Sequence, residues 1–251
     1  MGFEYDWIVL IIIGLFAGTL NTIAGGGSLI TLPFLIFLGL PSTIANGTNR
    51  IAILFQTATA VSGFKSKGIM TFPFSLYIGT SALLGSIIGA QIAIDIKGET
   101  FNKILSLVMV VVVLLIVFKK KAHSIEDLAE RTTGKPLWIS VIIFFFIGIY
   151  GGFINAGIGF IMLLVLPIVN KLSLVKSNAT KVTVAFIYTS VAVLIFILND
   201  KINWKYGLIL AVGNSLGAWI ASRYSVKKGD SFIKTALLII VSAMSLKLWF
   251  F

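Results

Sequence analysis

The chain of 251 residues has no cysteine, one histidine, and nine acidic side chains against twenty Lys and Arg. Without cysteine there is no disulfide, no thiolate metal site and no thiol to carry sulfur. His123 stands in a charged stretch with no second histidine to form a ligand pair. The acidic residues all fall in termini, loops or the ends of apolar runs, with Asp95 reaching nearest to a run's interior, so a proton relay of membrane-embedded carboxylates is not expected. Hydrolytic and metal-dependent catalysis therefore lack candidate residues, and no Gly-rich Lys-Ser/Thr phosphate loop is present to couple ATP. The expectation is a protein that is not an enzyme and uses no cofactor.

What the chain has in excess is apolar surface: 58% of residues are hydrophobic, 12% are charged, and the mean hydropathy is +1.04. A soluble core of this length cannot hide that much. The net charge of +11 comes from Lys and Arg in short loops between apolar runs, which points to lipid headgroups and topology signals and away from nucleic acid. The first apolar run lacks a basic leader and the chain returns to the membrane many times, so a cleaved signal peptide is not expected.

Crossing ~30 Å of hydrocarbon takes ~20 helical residues. Six runs meet that length, at about 43–64, 72–95, 101–118, 178–199, 203–224 and 231–250. Two regions are longer, 7–24 followed by 29–40 and 137–156 followed by 158–169, each a span plus about half a span. They are broken at Gly25-Gly26-Gly27-Ser28 and at Gly157-Ile158-Gly159, where glycine admits turns that a helix interior resists.

The two broken regions are copies of each other. Gly14, Gly18, Asn21, Gly25, Leu29, Leu32 and Pro33 recur at one constant offset as Gly148, Gly152, Asn155, Gly159, Leu163, Leu166 and Pro167. A gapless repeat of this kind marks a duplicated membrane protein with two discontinuous helices. Counting charges on alternative topologies decides how the copies are oriented. If each broken region crosses once, Lys and Arg divide ten against ten between the two sides. If each is a hairpin, crossing fully or only re-entering, fourteen fall on one side and six on the other, which makes the richer side cytoplasmic and places both termini outside. Each half then has five elements, an odd number, so the second half runs inverted relative to the first. The expected fold is an all-α integral membrane protein of two inverted repeats, each opened by a broken or re-entrant hairpin: residues 1–118, a polar cytoplasmic linker at 119–136, and residues 137–251. Trp7, Trp138, Trp204, Tyr206, Tyr224 and Trp249 fall near the ends of the spans, as interface aromatics do.

Non-helical backbone inside a bilayer is tolerated only where protein or a water-lined cavity satisfies it. A half-helix beginning after the glycine break presents free N–H groups and the positive end of its dipole, and two such ends form an anion cradle. Candidate binding residues are Asn21, Gly25, Gly26, Gly27 and Ser28, the last also a possible helix cap, with Asn155, Gly157 and Gly159 from the second copy; the alternative is that the glycines only allow tight helix packing and the asparagines only satisfy the broken backbone. A second pair of polar runs follows each hairpin: Asn46-Gly47-Thr48-Asn49-Arg50, and Asn178-Ala179-Thr180-Lys181. Asn and Thr there are ordinary helix starts, but Arg50 and Lys181 add a cation to each copy, placed either to attract an anion or to snorkel to headgroups. Gln56, Thr57, Thr59, Gln91, Thr183, Tyr188, Thr189, Ser190 and Asn214 are either path-lining or packing residues.

The sequence Asn21-Thr-Ile-Ala-Gly-Gly-Gly-Ser28 with Leu32-Pro33, followed by Ala45-Asn46-Gly47-Thr48-Asn49-Arg50, resembles the TauE/SafE family of sulfite exporters and related anion permeases. The second-half counterparts are similar, although three consecutive glycines become Gly157-Ile158-Gly159 and Ser28 has no equivalent. The resemblance implies a permease for a small sulfur-containing or organic anion such as sulfite, thiosulfate, a sulfonate or sulfoacetate, and a binding set of Asn21, Gly25 to Ser28, Asn46, Thr48 to Arg50 and their second-half equivalents. The leading expectation is a secondary transporter in a prokaryotic cell membrane, its partners being lipid and a small anion bound near the midplane. A passive anion channel is the alternative.

Overall fold

The computed structural model describes residues 6–118 and 129–224. The expected span at 231–250, Trp249, and linker residues 119–128 with His123 lie outside them. The described residues are helical throughout, with no strand. The helices are α1 (Asp6–Ile23), α2 (Ser28–Phe37), α3 (Ser42–Lys65), α4 (Phe74–Asp95), α5 (Gly98–Phe118), α6 (Gly134–Phe153), α7 (Ile158–Asn170), α8 (Leu174–Leu198) and α9 (Trp204–Tyr224).

Both expected breaks are present. α1 stops at Ile23 and α2 begins at Ser28; α6 stops at Phe153 and α7 begins at Ile158. At 1.5 Å per residue, the 10 residues of α2 and the 13 of α7 are too short to cross a bilayer alone. Positive φ makes each turn: 91° at Gly25, 63° at Asn155 and 73° at Gly157, all residue types that accept this conformation.

α4, α6 and α8 are both long and apolar enough to span a membrane; α2 and α7 are apolar but shorter, as is the 7–23 stretch of α1. α3, with 24 residues, and α9, with 21, have the length but lower mean hydropathy than a typical span. The reason lies in where their polar groups go: Asn46, Thr48, Asn49, Arg50, Gln56 and Thr57 of α3 and Asn214 of α9 are all buried. The outer faces are apolar, with Phe16, Leu84, Ile92, Ile142, Phe146, Val212 and Leu216 exposed. Polar inside and apolar outside inverts the arrangement of a water-soluble domain and suits a surface wetted by lipid. Trp7, Trp138 and Trp204 are exposed at the starts of α1, α6 and α9, where anchoring aromatics belong.

Packing is carried mainly by contacts between the halves. α1 lies along α9 and α4 along α6, while α3 packs on α9, α4 on α8, and α3 on α8 between them. The two longest seams are made by glycine. A Cβ on Gly18 would stand 2.1 Å from the Asn214 carbonyl oxygen, and one on Gly217 would stand 2.1 Å from that of Leu15. Across the other seam, Gly152 meets Ser86 O at 2.2 Å and Gly89 meets Ile149 O at 1.9 Å by the same measure. Small residues four apart on both partners let backbones touch, the usual device where lipid gives helices no hydrophobic reason to associate.

Candidate functional site

The two breaks meet. A Cβ on Gly25 would lie 2.4 Å from the Gly159 Cα, and one on Gly159 would lie 2.3 Å from the Gly25 Cα, so the repeat's equivalent glycines press backbone against backbone. Beside this contact is a cavity of about 20 Å³, lined by polar Asn21, Ser28, Gln56, Thr57, Asn155 and Lys181, by the Tyr188 side chain, and by apolar Ile53, Ile158, Met162, Val182 and Ala185. That is little more space than one water needs, so the walls close tightly on the site.

Ser28 and Ile158, the first residues of α2 and α7, both line the cavity, as does Gly159. The N–H groups of Gly27, Ser28, Ile158 and Gly159 donate no hydrogen bond to any described residue. Two helix N-termini with unused donors thus open on one space, where their dipoles favour negative charge. Ser28 is not the cap of α2; the N-cap position is Gly27, with no side-chain bond.

The asparagines of the repeat both line the cavity, and each bonds to the residue at the equivalent position of its own half. Asn21 donates to Gln56 Oε1 at 3.1 Å, and Asn155 Oδ1 accepts from the Tyr188 hydroxyl at 2.5 Å. Asn214 also donates to Gln56 Oε1, at 3.4 Å. Gln56 is 1% exposed, its acceptor is doubly used, and its Nε2 has no partner. The cavity therefore carries an unsatisfied donor, which a buried amide does not leave open without cost.

The two cations serve the broken helices crosswise. Arg50, fully buried on α3, donates through Nη1 to Gly151 O at 2.9 Å and through Nη2 to Gly152 O at 2.6 Å, in the last turn of α6. Its guanidinium lies 4.8 Å from the centre of the Phe196 ring. Lys181 on α8 donates to Asn21 O at 2.8 Å and Thr22 O at 3.0 Å, in the last turn of α1, and to Asn178 Oδ1 at 2.7 Å. Each satisfies carbonyls that a truncated helix leaves open, and each stands at the negative end of that helix's dipole. The carboxylate ion pairs among the described residues, Lys103–Glu99 and Lys176–Glu130, are both on the surface. Lys181 lines the cavity, whereas Arg50 does not.

Of the residues singled out from sequence, Asn21, Ser28, Asn155, Gly159 and Lys181 surround the cavity. Gly25 touches Gly159 from behind it, Gly27 packs on Ala17 and Asn21, and Gly157 packs on Val112; Gly26 completes the first turn by accepting from Leu29 N. Others act as struts around it: Asn46 donates to Phe153 O at 2.7 Å, Thr48 accepts from Asn203 N at 2.9 Å, Asn49 accepts from Thr31 at 2.6 Å, and Asn178 holds Lys181. Thr180 is buried in α8 away from the lining. Gln56, Thr57 and Tyr188, ambiguous from sequence, belong to the lining, while Thr59 and Ser190 turn back to carbonyls of their own helices. The signal that identifies Gln56 and Tyr188 is positional: they stand to each other as Asn46 stands to Asn178.

The profile of the family described as "Sulfite exporter TauE/SafE" matches residues 10–248. A probable membrane transporter protein of Haemophilus influenzae is 28% identical over 96% of this chain and 93% of its own length. A probable membrane transporter protein, ORF9, of Sinorhizobium sp is 26% identical over 95% and 90%, and YunE of Bacillus subtilis, also a probable membrane transporter protein, is 23% identical over 94% and 96%. No solved structure matches the chain. With the glycine-broken helices in place and the profile matched almost from end to end, the chain belongs to the TauE/SafE sulfite exporter family of membrane transporters.

Proposed function

We propose that this transporter carries a small oxyanion such as sulfite, thiosulfate or a short sulfonate across the cell membrane, binding it in the cavity between the two chain breaks. The observation that carries the proposal is the convergence there of two helix N-termini with unused N–H groups, the unpartnered Gln56 Nε2 and the Lys181 ammonium. In this network the side-chain oxygens of Gln56 and Asn155 are engaged while Gln56 Nε2 is left as a donor beside the Lys181 charge, which supports a solute with acceptors and negative charge. The family's description as sulfite exporters makes a sulfur oxyanion the first candidate. The halves work as inverted repeats: exchanging them maps α1 against α9 onto α6 against α4, and α3 against α9 onto α8 against α4. The bias of fourteen basic residues to six puts the linker in the cytoplasm and both termini outside.

Purified protein in liposomes is the direct test. Labelled sulfite, thiosulfate and a short sulfonate are each offered with and without the same unlabelled anion trapped inside. Saturable uptake accelerated by internal anion identifies a carrier, and sustained single-channel current identifies a channel instead. Absence of flux for all three, together with no rise in melting temperature on adding them, defeats the assignment of this substrate class.

A further inference from the structure

A second cavity, of about 110 Å³, lies between the same two helices that wall the first. It is lined by Val61, Phe64 and Lys65 of α3, Ala179 and Thr183 of α8, and residues 69–72 of the connection from α3 to α4. It continues the inner cavity along both helices. On α3 the lining passes from Ile53, Gln56 and Thr57 to Val61, Phe64 and Lys65; on α8 it passes from Tyr188, Ala185 and Val182 to Thr183 and Ala179. Between the two is an apolar cluster of Ala60, Phe64, Ala179, Val182 and Ala218. Val182 faces the inner space, and Phe64 and Ala179 face the outer one, so a thin layer of side chains separates them. Phe64 is its largest member; the rest are alanine and valine.

We infer that the outer cavity is the vestibule through which the anion reaches its site from the Lys65 side, and that Phe64 is the gate between them. The inference rests on reading the inner cavity as the substrate site. Lys65 lines this cavity and is exposed, and Lys67, two residues further on, is exposed as well; their charges raise the local concentration of anions. The vestibule walls are mostly apolar and hold an anion weakly, as a passage must, and a short apolar constriction excludes water and ions until it is widened. The buried partners of the ring are alanine and valine, with only Val61 and Ile69 packed against the cluster from its edge, so a swing of the ring displaces few large neighbours.

Because the chain has no cysteine, single thiols test this against no background. Thr183→Cys places one in the vestibule and Ala185→Cys one in the inner cavity, and each is treated with a membrane-impermeant thiol reagent from either side, in cells and in inside-out vesicles. Thr183→Cys is expected to react only from the Lys65 side and to lose anion flux on modification. Ala185→Cys is expected to be protected from that side while Phe64 is present, and to react once Phe64→Ala is added. Phe64→Leu, which keeps an apolar side chain of smaller size, is expected to give intermediate reactivity if Phe64→Ala fails to fold. The vestibule is overturned if Thr183→Cys is unreactive from the Lys65 side, and the gate if Ala185→Cys reacts equally with Phe64 intact. These readouts do not depend on the identity of the solute: a reactive Thr183→Cys in a protein that moves no anion refutes the substrate reading alone, whereas anion flux with Thr183→Cys unreactive refutes the vestibule alone.

Discussion

Arg50 and Lys181 make the same kind of bond for different ends. Both hold the last carbonyls of a truncated helix, yet Lys181 reaches the cavity and Arg50 is walled off beneath Phe196. Arg50 is therefore a structural clamp, and Arg50→Ala strands two buried acceptors at about 1–3 kcal/mol each, a loss of fold before it is a loss of binding. Gln56 is the contrasting residue. Gln56→Glu keeps an acceptor for Asn21 and Asn214 but replaces the free Nε2 with a carboxylate oxygen facing the substrate. Burying a carboxylate there costs stability, so we expect a lowered melting temperature that recovers as the group is protonated, and, on the proposed site, anion binding weakened by at least ~10-fold, equivalent to ~1.4 kcal/mol. The defect should ease as falling pH protonates the new carboxyl and restores a donor. Calorimetric titration with sulfite, thiosulfate and a short sulfonate, compared with thermal melts of Arg50→Ala, checks the division of roles. The partners of these residues were not legible in the sequence, because Arg50 and Lys181 each bond to a helix in the other half of the chain and only folding brings them there. The asparagines and glycines were legible because their repetition is itself the signal.

At the scale of elements, the glycine seams set how closely helices approach. The repeat had already marked Gly14 and Gly18 of α1 and Gly148 and Gly152 of α6; their partners, Gly213 and Gly217 of α9 and Gly85 and Gly89 of α4, lie outside the duplicated stretch and emerge only from packing. α3 shows the opposite failure of a linear reading. Its polar first half lowers its hydropathy because those residues are turned inward, so composition understates its place in the membrane. Gly89→Ala pushes a methyl to 1.9 Å from the Ile149 carbonyl oxygen and forces α4 off α6. Overpacking of this kind costs about 1–3 kcal/mol. Gly98→Ala, whose added carbon meets its nearest neighbour, Ser42 Oγ, at 3.5 Å, is the matched control and should stay within about 0.5 kcal/mol. Urea or thermal unfolding in detergent, measured side by side, decides whether the seam or glycine content in general matters.

At the scale of the molecule, α1 finds its longest partner in α9 and α6 finds its own in α4, so each half encloses part of the other. A protease site introduced within the polar stretch 119–135 therefore ought to be cut without separating the fragments. The two pieces are expected to elute together in mild detergent and to retain anion flux in liposomes. Fragments that part on cleavage would mean that the contacts between halves are weaker than their extent implies.

Gly25 and Gly159 are one position of the repeat meeting its own copy. On the proposed inverted repeat, two separate copies would meet at that position on a two-fold axis, and every mutation near it would strike both sides of the site at once. A single chain is under no such obligation. The glycines and asparagines at the breaks remain alike, while Ser28 has Met162 and Gln56 has Tyr188 at the equivalent positions of the second copy. The two copies thus line the cavity unequally, so a solute held there, on the function proposed above, would have a single preferred way round.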